Sequence, residues 1–142
     1  MSKDWVQDIA VMHDKYGVNQ WVNKKVAEGD LDPLHEYLNF RIKFLVEELT
    51  ETQSAFANND SEEIVDGLID LCVVAIGTLD AFGVNPYTAW DRVAAANMAK
   101  TVGVKASRPN PLGLPDLIKP EGWTAPSHED NHGILPSVCN IL

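Results

Sequence analysis

Residues 47–70 read EELTETQSAFANNDSEEIVDGLID, and their reading decides the fold. Asn58-Asn59-Asp60-Ser61 is a turn signal dividing two helical patterns. Upstream, Phe40, Phe44, Leu45, Leu49 and Phe56 recur among strong helix formers, which predicts a helix from about Leu34 to Ala57. Downstream, Asp60 or Ser61 caps a second helix, with Glu62 and Glu63 in its first turn where the helix dipole favours them. This second helix runs from about 61 to 82 and is apolar almost all round after Asp66, as Leu68, Ile69, Leu71, Val73, Val74 and Ile76 show. Such a helix is expected at the centre of a bundle or at a subunit interface.

The acidic residues set the chemistry. At about 100° per residue, Glu48 and Glu51 lie about 60° apart on one face, and Glu63 and Asp70 about 20° apart with Asp66 close by. Packed antiparallel, the two faces would gather these five carboxylates around one small volume. Carboxylates so grouped raise one another's pKa unless a cation compensates them. Hard oxygen ligands select Mg²⁺ or Mn²⁺ over zinc, and because Mg²⁺ takes few carboxylates per ion, two or more ions fit five carboxylates better than one. The plain alternative is a solvated helix face, to which Glu47 and Glu62 are assigned. Against it for the rest stand the lack of another exposed face for Asp66 and Asp70 and the scarcity of Lys or Arg at i+4. Arg41, about 20° from Glu48 on the same helix, is placed to pair with it or to hold a ligand phosphate. A di-iron carboxylate bundle needs Glu-x-x-His on two helices, and neither acidic helix contains a histidine.

Outward from this hairpin, Trp5, Ile9, Met12 and Tyr16 predict a short first helix over 4–16, ended by Gly17. Residues 17–34 read as a loop or frayed helix, because Gly29 and Pro33 interrupt Trp21, Val22 and Val26. Gly83 and then Pro86 end one helix and begin another that runs to about Lys100. Beyond Thr101 the composition changes: six of the eight prolines follow residue 108. The expected architecture is therefore all-α, a four- to five-helix bundle over about 4–100 with an extended Pro/Gly-rich arm over 101–142, in one domain. The arm's Leu112, Leu114, Leu117, Ile118 and Trp123 argue that it packs on a surface.

Composition narrows the function classes. The 142 residues carry 11 Lys and Arg against 21 Asp and Glu, and a net charge of -10 argues against a nucleic acid polymer as partner. Cys72 and Cys139 show neither a disulfide framework nor zinc spacing. No stretch has signal-peptide character or approaches the roughly 20 apolar residues of a membrane span, so a reducing cytoplasm is the expected compartment. His13 reads as a structural histidine and Cys72 as core, and there is no Ser/His/Asp or Cys/His set for covalent catalysis. Asn97 and Lys100, at i and i+3, put an amide and an ammonium on one helix end, suited to a sugar hydroxyl and a phosphate or simply to the helix dipole. Lys105, Arg108, Lys119 and Trp123 of the arm are positioned in sequence to close over a nucleotide.

The ordered set Glu48-x-x-Glu51, Glu63-x-x-Asp66, Asp70, Asn97-Met98-Ala99-Lys100 and Lys119-Pro120-x-Gly122-Trp123 resembles the all-α nucleoside triphosphate pyrophosphohydrolases, the MazG-like group, and within it the small single-domain members of bacteriophages and bacteria. The resemblance runs from His13 to about Pro126, with one departure: only 11 residues separate Glu51 from Glu63, the short end for the group. It implies Mg²⁺ or Mn²⁺ held by Glu48, Glu51, Glu63 and Asp66 with Asp70 assisting, and hydrolysis of a (deoxy)nucleoside triphosphate to monophosphate and pyrophosphate. Glu48 or Glu51 would steer the attacking water. The resemblance further implies homodimers or tetramers and, for a phage protein, the host cytoplasm. Guanine nucleotides such as dGTP are among the substrates of phage members. The alternatives are a phosphoribosyl-ATP pyrophosphohydrolase, which shares the fold, and a non-catalytic helical interaction module.

Overall fold

The computed structural model describes residues 3–105, 107, 112 and 116–139. Arg108, Leu114 and the prolines at 109, 111 and 115 lie outside the described residues. Two compact units are present, Met1–Pro86 with His132–Leu142, and Tyr87–Asn131.

In the first unit, α1 (Trp5–Lys15), α2 (Val18–Glu28), α3 (Asp32–Ala57) and α4 (Ser61–Ala81) follow one another with short connections. Local chemistry sets their ends. Asp4 caps α1 by accepting from the Gln7 amide at 3.0 Å, and Asp60 caps α4 by accepting from the Glu63 amide at 3.1 Å. The α3–α4 turn closes with the amide of Asp60 donating to the Ala55 carbonyl at 2.9 Å and that of Asn59 to Phe56 at 3.2 Å, Asn59 taking the left-handed conformation at φ 56. This pair of hydrogen bonds is the Schellman arrangement, which satisfies carbonyls a helix end otherwise leaves orphaned.

The same arrangement corrects the expectation of a loop or frayed helix over 17–34, where α2 is a regular helix. Gly29 stands just past its end at φ 68, with the Asp30 amide bonded to the Lys25 carbonyl at 3.0 Å, and Pro33 sits in the first turn of α3, where no backbone donor is needed. Both residues punctuate the boundary between two helices; neither interrupts one.

The core gathers where the start of α3, the end of α4, α2 and the short α6 (Leu135–Cys139) meet. Leu34, Phe82 and Val138 are fully buried there, and Trp21, Tyr37 and Phe82 form a chain of ring contacts. The C-terminal segment returns to this unit because its backbone is tied down: the Ile134 amide donates to the Phe82 carbonyl at 2.9 Å, and His35 Nδ1 bonds the Val138 carbonyl at 2.9 Å.

Two glycines of α4 set its contacts. A Cβ at Gly67 would collide with the buried Thr52 hydroxyl, which donates to the Glu48 carbonyl at 2.8 Å. A Cβ at Gly77 would stand 2.6 Å from Arg41 Nη2 and 3.0 Å from His13 Nε2. Arg41 is pinned there, Nε donating to Thr78 Oγ1 at 3.1 Å and Nη2 to the Val74 carbonyl at 2.9 Å, and His13 Nδ1 meets Asp80 at 2.9 Å. Ala is the better helix former, but here the added methyl overpacks two fixed side chains. Gly77→Ala is expected to destabilise the protein by about 1–3 kcal/mol, read as a lowered urea midpoint at unchanged slope.

One expectation fails within a single chain. Val65 (64% exposed), Leu68 (51%) and Ile69 (44%) of α4 face outward, as do Val46 and Leu49 of α3, so α4 is not enclosed at the centre of a bundle.

In the second unit, α5 (Pro86–Met98) leads into an antiparallel pair, β1 (Thr101–Gly103) with β2 (Asp116–Ile118). The arm is thus not uniformly extended, since it holds this pair and α6. Thr101 lies opposite Ile118, so the register brings the residues just outside the pair, Lys100 and Lys119, to the same end of the ladder.

Candidate active site

All five carboxylates sit on the α3–α4 hairpin. Glu51, Glu63 and Asp66 are exposed, while Glu48 and Asp70 are half-buried. The Thr52–Gly67 contact lets the helices approach at this level, as described above. Glu51 and Glu63 line one cavity of about 300 Å³, together with Thr50, Ser54, Asn58 and Asp60. The Glu48 carboxyl is pushed above the ordinary carboxylate range, first by lost hydration and then by the charges of Asp70, Glu51, Glu47 and Asp66. Asp70 and Asp66 on α4 therefore share one electrostatic neighbourhood with Glu48 and Glu51 on α3.

The gathering is looser than the helical-wheel expectation of five carboxylates around one small volume. Among the described residues, no three Asp, Glu, His or Cys side chains converge as a preformed metal cage. The donors are nonetheless of the right kind for a hard divalent ion. Mg²⁺ binds through one or two carboxylates plus waters and substrate phosphates, and so needs no complete protein cage. The neighbourhood that raises the Glu48 pKa is also the one a cation would relieve.

Arg41 forms no ion pair with Glu48 among the described residues. Its bonds to Thr78 and Val74, and its position 5.9 Å from the Tyr37 ring centroid, make it a clamp between α3 and α4. Thr50, Ser54 and Asn58 were not legible as site residues from their types, although their i, i+4, i+8 spacing puts them on one stripe.

The remaining candidates fall in the second unit, where Lys100, Lys119 and Trp123 come together. Gly122, at φ 78, allows the turn in which the Trp123 amide donates to the Pro120 carbonyl at 3.0 Å. The turn folds the indole back onto α5, where its N–H donates to the Ala96 carbonyl at 2.8 Å. Lys100 Nζ lies 5.4 Å and Lys119 Nζ 5.0 Å from the ring centroid, as the strand register requires. Two ammonium groups around one ring are mutually repulsive, and the ring's negative face offsets part of that. The pair places two positive charges side by side, a combination suited to an anion. Asn97 is exposed on the last turn of α5, its carbonyl accepting from the Lys100 amide at 3.1 Å.

A sequence model of the family described as phosphoribosyl-ATP pyrophosphohydrolase matches residues 22–97, more than half of the chain. The chain belongs to that family. It lies within the MazG-like all-α nucleoside triphosphate pyrophosphohydrolases, as its motif order implied, and the protein is accordingly a nucleotide pyrophosphohydrolase acting on phosphoric anhydrides. No curated protein and no solved structure matches the chain. The matched segment of this pyrophosphohydrolase holds all five carboxylates, Arg41 and Asn97, while Lys100, Lys119 and Trp123 follow it. No described helix is long and apolar enough to cross a membrane.

Lys100→Ala is expected to raise the KM for nucleotide about fivefold to tenfold while leaving Mn²⁺ affinity unchanged, since a charge-assisted phosphate contact is worth about 1–1.5 kcal/mol at an exposed site. Steady-state kinetics beside Mn²⁺ calorimetry checks this, and an unchanged KM removes Lys100 from the substrate contacts.

Proposed function

We propose that this protein hydrolyses a (deoxy)nucleoside triphosphate between the α and β phosphates, releasing monophosphate and pyrophosphate in a reaction that requires Mg²⁺ or Mn²⁺. The observation that carries this reading is the shared field of Glu48, Asp70, Glu51 and Asp66 on the hairpin that the family match spans. Glu48, Glu51, Glu63 and Asp66, with Asp70 assisting, would hold the metal, in two or more ions. Bound there, the ions supply charge neutralisation for the phosphate oxygens and acidify a water.

The chain's own residues have distinct parts. Glu48 or Glu51 accepts the proton of the attacking water and aligns it with the scissile bond. Lys100 and Lys119 bind the anionic end of the substrate, with the tethered Trp123 ring holding both ammonium groups in place. Asn97, three residues before Lys100, offers an amide to a sugar hydroxyl. Phosphoryl transfer asks a protein mainly for positioning and electrostatic stabilisation, which these groups provide.

The outward-facing Val46, Leu49, Val65, Leu68 and Ile69 support a homo-oligomer, dimer or tetramer, that covers this face. A guanine nucleotide such as dGTP remains the proposed phage-type substrate, in the host cytoplasm. The name of the matching family favours a second reading, phosphoribosyl-ATP as substrate. A panel of ribo- and deoxyribonucleoside triphosphates run beside phosphoribosyl-ATP decides between them. The first reading expects the highest kcat/KM on a simple triphosphate; a preference for phosphoribosyl-ATP replaces it with the second.

A further inference from the structure

The second unit contains a cleft of about 770 Å³ between α5 and residues 120–130, a volume in the range of small-molecule sites. One side is a stripe of small residues, Ala95, Ala96 and Ala99, which leaves depth beside the helix. Trp123 forms part of the wall, its orientation fixed by the bond to Ala96. Across from the helix in sequence, the loop is held by Arg92, whose Nη1 donates to the carbonyls of Ser127 at 3.1 Å and Glu129 at 3.0 Å. The guanidinium is thereby bound to backbone, and three acidic residues, Glu121, Glu129 and Asp130, are among those lining the same cleft, with no ion pair to any of them among the described residues.

Charge decides which part of a nucleotide suits this cleft. Three carboxylates against one engaged guanidinium repel a phosphate chain, which the Lys100 and Lys119 ammonium pair attracts. A carboxylate accepts hydrogen bonds and donates none at neutral pH, so it favours the N–H edge of a ligand and disfavours a carbonyl edge. We propose that this cleft receives the nucleobase, and that Glu129 and Asp130 select bases bearing an exocyclic amino group over counterparts that lack it. The proposal rests on the activity proposed above and adds its base specificity.

Matched substrate pairs test it on the full-length protein. GTP and ITP differ by one amino group, and CTP and UTP exchange amino for keto at one position. The amino member of each pair is expected to have about tenfold higher kcat/KM, the worth of one hydrogen bond to a charged acceptor at a solvent-open site. That ratio is expected to fall towards one in Glu129→Gln/Asp130→Asn, whose two sites are exposed and whose fold is checked by its thermal midpoint. Equal rates within pairs, or a ratio the double substitution leaves intact, overturn the proposal. If no triphosphate is cleaved, the activity reading fails, and uncharged nucleosides still decide the cleft. Guanosine is then expected to shift the Trp123 indole N–H resonance, assigned with Trp123→Phe, while inosine does not; equal shifts, or none, overturn it.

Discussion

Glu51→Gln is expected to lower turnover by about 10²- to 10⁴-fold, the range associated with loss of a positioned proton acceptor, while leaving the helical circular dichroism unchanged. Glu51 is exposed on α3 and lines the cavity it shares with Glu63, so the amide fits without repacking. Its charge is one of those that raise the Glu48 pKa, and the substitution removes that repulsion. The metal-free variant should therefore be at least as stable as the parent. Turnover retained within a factor of about ten removes Glu51 from the site, and lost turnover accompanied by a lowered thermal midpoint points instead to damaged packing.

Divalent ions are expected to stabilise the protein substantially. At a free Mn²⁺ concentration 100-fold above the dissociation constant, linkage gives about 2.7 kcal/mol, or a rise in thermal midpoint on the order of 10 °C for a chain of this size. The pH dependence has a definite sign. The native state raises the Glu48 pKa, so its protonated form is favoured on folding. This contribution to stability is fully present below the ordinary glutamate range and is lost as pH rises through the elevated value. In the metal-free protein Glu48→Gln should flatten that loss, and the stabilisation by Mn²⁺ should grow as pH rises and the carboxylates ionise. Absence of both a calorimetric heat and a thermal shift with Mn²⁺ and Mg²⁺ would contradict the metal assignment.

Helix ends were legible in the chain wherever a specific side chain makes them. Asp60 caps α4 and Gly83, at φ 75, follows its end, both as their residue types predict. Gly29 and Pro33 carry the same information, but a glycine and a proline four residues apart read equally well as breaks in one weak helix or as the end and start of two. The exposure of Val65, Leu68 and Ile69 was not legible for a different reason: periodicity registers that a face is apolar and says nothing of which chain covers it.

The site divides along the same line. Carboxylates on two adjacent helices share a register fixed by helix geometry, and that much can be read from spacing. The tethering of Arg41 to Val74 and Thr78 depends on how the helices pack, as does the Thr52–Gly67 approach. Lys100 and Lys119 are brought together by a strand pairing whose residues are too few to announce themselves. Trp123 joins them through a turn that Gly122 alone hints at.

The central claim is that the acidic face of the α3–α4 hairpin serves cleavage between the α and β phosphates. Its most direct measurement is product identity from a nucleoside triphosphate incubated with Mg²⁺ or Mn²⁺, quantified for parent and Glu51→Gln together. The account predicts monophosphate and pyrophosphate in equal amounts from the parent and almost none from the variant. Release of orthophosphate with nucleoside diphosphate, or the same pyrophosphate yield from both proteins, would contradict it.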